Sequence, residues 1–191
     1  MRLILASSSS YRQAQLKQLG LDFLSLSPEA DEDQFKNKDI APLELSRVLS
    51  ELKGQGLSEK YPDDLILSGD QVCALGKTIF SKPGTKENAH QQLLKLQGQT
   101  HQLMTSFTLT QKGITETFTT IANLKMTALT AEQIERYLQQ DQPYQCCGSY
   151  RLEALGISLF DSIDCDDHTA IIGLPLISLS RALRNRGFLI P

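Results

Sequence analysis

The sequence predicts an α/β fold, a mixed β-sheet with helices on its faces, and three observations carry that prediction. Leu3-Ile4-Leu5-Ala6 is a short apolar run that stops at four hydroxyl residues, Ser7 to Ser10, and gives way to helical spacing. Leu65-Ile66-Leu67 is a second such run, ending at Ser68-Gly69-Asp70. His101 to Thr110 and Thr115 to Thr127 are longer strand patterns that turn at Gln111-Lys112-Gly113. Apolar runs alternating with helices favour parallel pairs, and the hairpin demands an antiparallel one, so the sheet must be mixed.

The remaining elements follow in order. Gln13, Leu16 and Leu19 recur at spacings of three and Gly20 stops the first helix. Asp22 to Leu26 reads as a strand, and Glu29-Ala30-Asp31-Glu32-Asp33 as a solvated acidic loop. Pro42 opens a helix with Leu45, Val48, Leu49 and Leu52 as its apolar stripe and Lys53 beside the stripe near its end. After Asp70, Val72 to Leu75 and Thr78 to Phe80 make a hairpin through Gly76-Lys77. Thr85 caps a helix carrying Ala89, Leu93, Leu94 and Leu96 that closes at Gly98, and Thr130-Ala131-Glu132-Gln133 is a capping box. Gly148 to Phe160 reads as strand-like. Gly173-Leu174-Pro175 opens a last helix bearing Leu176, Leu179 and Leu183, with Gly187 as its stop. With no repeat, low-complexity tract or linker, residues 1–191 are expected to form one domain.

Composition narrows the class of partner. A net charge of −3 argues against nucleic-acid binding, which needs a basic face, so a polyanionic ligand must be small and held by local cations. No apolar run reaches membrane-spanning length and the chain opens on a strand rather than a leader, so a cytoplasmic protein is expected. Cys73, Cys146, Cys147 and Cys165 show neither CxxC nor zinc spacing and read as reduced thiols serving as small core residues.

A strand running through a small-residue turn into a helix start aims unpaired backbone N–H groups at one point, which suits a phosphate. Arg12 in the first turn adds a planar fork of donors, though a serine-rich cap that merely starts the helix fits the same residues. Asp70, after an apolar strand, stands where open α/β sheets place their ligand crevice; it can hold a cation, take a proton from water, or cap a turn. Lys82 follows a strand on a turn fixed by Pro83 and Gly84, and with Arg12 and Lys53 it could complete a triphosphate site. Tyr11 could lie beside whatever the serine turn binds, and Glu153 is a carboxylate in a stretch with little other use for one. Alone, the first reads as core and the second as surface.

Together these residues resemble the Maf family of nucleoside triphosphate pyrophosphatases over essentially the whole chain. The resemblance rests on Leu5-Ala6-Ser7-Ser8-Ser9-Ser10-Tyr11-Arg12, Asp31-Glu32, Lys53, Ser68-Gly69-Asp70-Gln71 and Lys82-Pro83. Gly98, His101, Gly148 and Gly173-Leu174-Pro175 follow in the family's order. Ser10 stands where the family has Pro, and Ser68-Gly69 inverts its usual small pair. The resemblance implies an elongated, two-lobed fold with a nucleotide cleft between the lobes, often dimeric. It implies hydrolysis between the α and β phosphates with Asp70 as general base and Ser7, Ser9, Arg12, Lys53 and Lys82 on the phosphates. Glu32 and Asp70 are the implied holders of a divalent cation, Mg²⁺ or Mn²⁺. Tyr11, Gln71 and Glu153 match the subfamily that acts on 7-methyl-GTP rather than dTTP and UTP. N7 methylation puts a positive charge on guanine, worth ~0.5–2 kcal/mol over an aromatic face, and a carboxylate can accept from the base's N1–H and amino group. The competing expectations are another nucleotide substrate, dTTP and UTP included, or a regulator of cell division that senses a nucleotide without hydrolysing it.

Overall fold

The computed structural model describes residues 1–35 and 39–190. The chain runs β1 (Leu3–Ala6), α1 (Ser10–Lys17), β2 (Phe23–Leu26), a 3-10 turn (Glu32–Phe35), α2 (Pro42–Lys60), β3 (Leu65–Leu75) and β4 (Thr78–Phe80). It continues through α3 (Lys86–Leu96), β5 (Thr100–Gln111), β6 (Ile114–Met126), α4 (Ala131–Asp141), β7 (Phe160–Asp164) and α5 (Leu176–Arg184). The strands form one sheet in the order β2-β1-β3-β5-β6-β7, with β4 paired to β3. β1 is parallel to β2 and β3, while β4 is antiparallel to β3 and β7 to β6. The mixed α/β sheet is therefore the one predicted.

Two compact units are built from interleaved segments, Met1–Gln71 with Thr105–Thr120 and Asp167–Pro191, and Val72–Met104 with Ile121–Asp166. In the first unit the two-residue period of the strands separates two chemistries. Leu3, Leu5, Leu65, Leu67, Phe107 and Leu109 pack with Leu16 of α1 and with Leu176, Leu179 and Leu183 of α5. On the opposite face Ile4, Ala6 and Ile66 meet Leu57 of α2, and then hydroxyls take over. Ser46 and Ser106 share a hydrogen bond of 2.8 Å, Ser50 and Thr108 another of 2.8 Å, and the Ser68 hydroxyl donates to the Ser50 carbonyl at 2.7 Å. Gly54 lets α2 come this close, since a Cβ there would lie 2.8 Å from the Ser68 hydroxyl oxygen.

This polar contact shifts the expected stripe of α2. The buried side is Ser46, Leu49, Ser50, Gly54 and Leu57, so of the expected stripe Leu49 is buried while Leu45, Val48 and Leu52 are not fully so, because hydroxyls satisfied in pairs can be buried as readily as leucines. The helix also runs on to Lys60, so Lys53 sits well inside it rather than near its end. β3 is continuous, so Ser68-Gly69-Asp70 is strand, not turn.

In the second unit the β3–β4 hairpin turns at Gly76 (φ +59°), Thr85 caps α3, and Thr130 and Gln133 exchange both bonds of the capping box at α4. The expected strand over 148–160 is absent except at Phe160: Cys147–Ser149 and Leu155–Leu159 are 3-10 turns. Left-handed backbone at Gly148 (φ +76°) and Ser149 (φ +65°) breaks any extended run there. None of the four cysteines forms a disulfide, and only Cys73 is buried, so the core role expected of them holds for that one. No helix among the described residues is long and apolar enough to cross a membrane.

Candidate active site

The serine turn is fixed from several directions. Ser7 is buried; its hydroxyl accepts from the Ser9 N–H at 3.1 Å, and its carbonyl accepts from the Ser25 hydroxyl at 2.8 Å. Ser9 caps α1, accepting from the Arg12 N–H at 3.4 Å. Tyr11, half-buried, follows in the first turn.

Arg12 leaves α1 through a passage lined by two glycines. A Cβ on Gly69 would lie 3.6 Å from the Arg12 Nε and 3.1 Å from the Ser106 carbonyl oxygen, and one on Gly173 would lie 3.4 Å from the Arg12 Cγ and Nε. Gly173 also holds φ +140°, a conformation that favours glycine. The Arg12 Nε donates to the Gly173 carbonyl at 3.0 Å, and the two terminal amino groups make no hydrogen bond to the described residues.

Alternation along β3 sends Gly69 toward α1 and Asp70 toward α2, on the same face as Ser68. Asp70 is 8% exposed and forms a short ion pair with the Lys53 ammonium, which also binds Glu32 at 3.1 Å. Burial pushes the Asp70 carboxyl up from its ordinary range, against the pull of Lys53 and Arg12, and the Glu32 charge adds to the rise. Lys53 is thus engaged by two carboxylates rather than standing open as a free cation. Among the described residues no group of three or more His, Cys, Asp or Glu side chains is arranged to hold a metal ion.

Residues 2–186 match the family described as Maf-like protein. The chain belongs to the Maf family. Curated Maf relatives extend the match to nearly full length. A protein of Bdellovibrio bacteriovorus named 7-methyl-GTP pyrophosphatase is 41% identical over 184 residues, covering 96% of each chain. Proteins of the same name from Xanthomonas axonopodis pv. citri and Pseudomonas fluorescens are each 40% identical, covering 100% and 99% of this chain and 99% and 98% of their own.

Within this Maf chain, Ser7, Ser9, Arg12, Glu32, Lys53, Asp70 and Gln71 all fall in the first unit. Gln71 turns its amide into the protein, donating to Thr105 Oγ1 at 2.9 Å and to the carbonyls of Ala170 and Ile171 at 3.0 Å. Lys82 and Glu153 belong to the second unit. Lys82 is exposed just after β4, and Glu153 is exposed in the turns that precede β7. Two glycines of the first unit escaped the sequence reading. Gly69 reads there as part of a turn and Gly173 as a helix opener, yet both make room for Arg12. Gly173-Leu174-Pro175 did carry a signal, because Gly173 stands two residues before the N-cap, Pro175, where starting the helix gives no reason for a glycine.

Proposed function

We propose that the chain hydrolyses 7-methyl-GTP to 7-methyl-GMP and pyrophosphate, residues 1–191 acting as one catalytic domain. The enzyme class follows from Maf membership and from relatives named as pyrophosphatases over their whole length: the chain is a hydrolase of a triphosphate anhydride. One observation above the others supports the chemistry assigned to it. A buried carboxylate with a raised proton affinity, Asp70, is held beside Lys53 on the strand next to the Arg12 passage.

In this reading Asp70 orients a water molecule and takes its proton as the oxygen attacks the α phosphorus. The bond to the bridging oxygen breaks and pyrophosphate leaves. Raising the proton affinity of Asp70 brings it nearer to that of a competent base at neutral pH. Arg12 grips phosphate oxygens with its terminal amino groups, assisted by Ser7, Ser9 and Lys82. Lys53 keeps Asp70 in place and offsets part of the charge that gathers on the transferred group.

The donor set fits a divalent cation of the Mg²⁺ type, which typically takes one or two carboxylates and completes its shell with water and substrate oxygens. Asp70 and Glu32, which share the Lys53 ammonium, are the residues that would hold it. Bound there, such an ion would neutralise charge on the phosphate oxygens. Tyr11 and Glu153 read the base, the ring against the cationic guanine and the carboxylate against its N1–H and amino group.

Pyrophosphate release and product identification on 7-methyl-GTP, GTP, dTTP, UTP and CTP test the reading. The expected result is fastest turnover of 7-methyl-GTP, with the monophosphate as product. Preference for dTTP and UTP overturns the base assignment, and tight binding without turnover replaces the enzyme with a sensing module.

A further inference from the structure

We propose that Gln15 and Gln71 are positioning residues for Arg12, acting through the backbone carbonyls of residues 169–174. Gln15 is 2% exposed; its Oε1 has no hydrogen-bond partner among the described residues, so the buried amide is held by its Nε2 alone. Its Nε2 donates to the carbonyl of Thr169 at 2.7 Å and to that of Leu174 at 3.1 Å. The Gln71 amide clamps the carbonyls between them, Ala170 and Ile171, and the Thr105 hydroxyl adds a bond of 2.9 Å to Ala170. The next carbonyl to be used in this short stretch is that of Gly173, and its donor is the Arg12 Nε.

The stretch needs such clamps for a backbone reason. It joins a 3-10 turn, His168–Ile171, to Gly173 at φ +140°; the carbonyls of Thr169 and Ala170 accept from the Ile172 and Gly173 N–H groups at 3.2 and 3.0 Å, whereas those of Ile171, Gly173 and Leu174 have only side-chain donors among the described residues. A primary amide carries two donors and can serve two carbonyls at once, which a hydroxyl cannot. Asp167 closes the start of the stretch, accepting from the N–H groups of Thr169 at 3.1 Å and Ile177 at 2.7 Å.

Gln15 lies three residues after Arg12 on α1, the spacing that puts two side chains on one helix face. One helix therefore supplies both the guanidinium and the amide that aims its anchor. Gln71 is the residue after Asp70 on β3, so the strand that carries the proposed base also fixes the proposed phosphate clamp. Anchoring Nε fixes the plane of the guanidinium and leaves its two terminal amino groups as an oriented fork. In this structure the Gln71 Nε2 donates to the protein itself. This inference rests on the reading that Arg12 grips the substrate.

The test is a double-mutant cycle with a second, activity-free readout. Gln15→Met and Gln71→Met keep length and remove the donors. Each is expected to lower kcat on 7-methyl-GTP about 10- to 100-fold, as small displacements of a positioning group do. Neither should add a further loss once Arg12 is replaced by Ala, whereas losses that multiply in the Arg12→Ala background overturn the inference. Independently, the Arg12 Nε–H resonance of ¹⁵N-labelled protein should exchange slowly with solvent in the native chain and quickly in Gln15→Met or Gln71→Met. Slow exchange retained in both variants overturns the inference whatever the rates are. Full turnover in Arg12→Ala together with loss of the protected resonance in the glutamine variants would leave the inference standing and sink the phosphate assignment instead. Should Gln15→Met fail to fold, Gln71→Met carries the same comparison.

Discussion

Two buried polar centres, one in each unit, show how differently the same fold treats titratable groups. In the first unit Asp70 is buried with charge all around it: Lys53 in direct contact, Arg12 and Glu32 near enough to move its proton affinity. In the second unit His101, 1% exposed, shares a hydrogen bond of 2.8 Å with the Tyr150 hydroxyl, and the buried Cys73 lies close by on the other side of Gly148. His101, Tyr150 and Phe160 pack ring against ring, and among the described residues no opposite charge is set against His101 or Tyr150. Burial alone pushes His101 down to about 4, and it leads the rise of Cys73 and Tyr150, so all three stay neutral. Burial by itself therefore marks nothing catalytic. A buried charge kept beside fixed countercharges is the candidate to test, because such a group costs stability that packing could have supplied.

The largest effect expected from this contrast is on rate. Asp70→Asn keeps the shape and removes the proposed base, and pyrophosphate release should fall by about 10²- to 10⁴-fold. His101→Gln keeps a hydrogen-bonding partner for Tyr150 and should leave turnover per folded molecule close to that of the native chain. Steady-state assays on both variants decide it, and the contrast breaks if His101→Gln costs as much rate as Asp70→Asn.

Stability should show the reverse order. A Cβ on Gly148 would lie 2.9 Å from the Cys73 sulfur and 2.8 Å from Tyr150 Cε1, on a backbone already at φ +76°. Gly148→Ala is therefore expected to destabilise by about 2–4 kcal/mol, the sum of overpacking and a left-handed Cβ. The midpoint of urea unfolding measures it, and an unchanged midpoint would mean the second centre is loosely packed.

The pH dependence separates the two centres by sign. His101 is held neutral, its folded pKa near 4 against 6.5 unfolded, so the unfolded state binds more protons between those values. Stability from this residue is full above 6.5 and is lost as pH falls toward 4, about 3 kcal/mol in all. Asp70 runs the other way. Its folded pKa is raised, the folded state binds the extra proton, and stability declines as pH climbs from 3.8 through the folded value. Unfolding titrations should accordingly lose their rising limb in His101→Gln and their falling contribution in Asp70→Asn. The same sign for both would show that Lys53 and Arg12 outweigh burial at Asp70.

The elements themselves were largely legible in the sequence, because caps and periods are local. Pro42, Thr85, Thr130 and Gly187 each mark the helix boundary expected of them, and the apolar runs at Leu3 and Leu65 became strands. What sequence could not yield was pairing at a distance. The hydroxyl face of α2 makes sense only once Ser46 and Ser50 are set against Ser106 and Thr108 of β5. Ser68-Gly69 looks like a turn until Gly69 is seen making room for an arginine from another element. The stretch from Gly148 to Leu159 read as strand because its residue types permit one, and left-handed backbone at Gly148 and Ser149 overrules them. At the candidate site, Asp70 and Lys53 were visible as residues, but not that Lys53 would be shared with Glu32. Gln15 carried no signal at all; a glutamine in a helix is ordinary until it is found buried and bonded to two carbonyls.

The smallest expected effect sharpens the first centre from its substrate side. Tyr11 sits half-buried in the first turn of α1, one residue before Arg12, so its ring belongs to the element that aims the proposed phosphate grip. If it faces the methylated base, the attraction is between a delocalised cation and a π face, and only the methylated nucleotide gains it. Tyr11→Leu retains apolar bulk and should lower kcat/KM for 7-methyl-GTP by a few-fold to about 30-fold, matching ~0.5–2 kcal/mol. Unmethylated GTP, which lacks the ring charge, should lose little. The ratio of the two kcat/KM values is the measurement, since any general damage to α1 or to Arg12 lowers both nucleotides alike and cancels. A ratio unmoved by Tyr11→Leu would leave the phosphate machinery of the first unit intact and shift the whole burden of base selection onto Glu153.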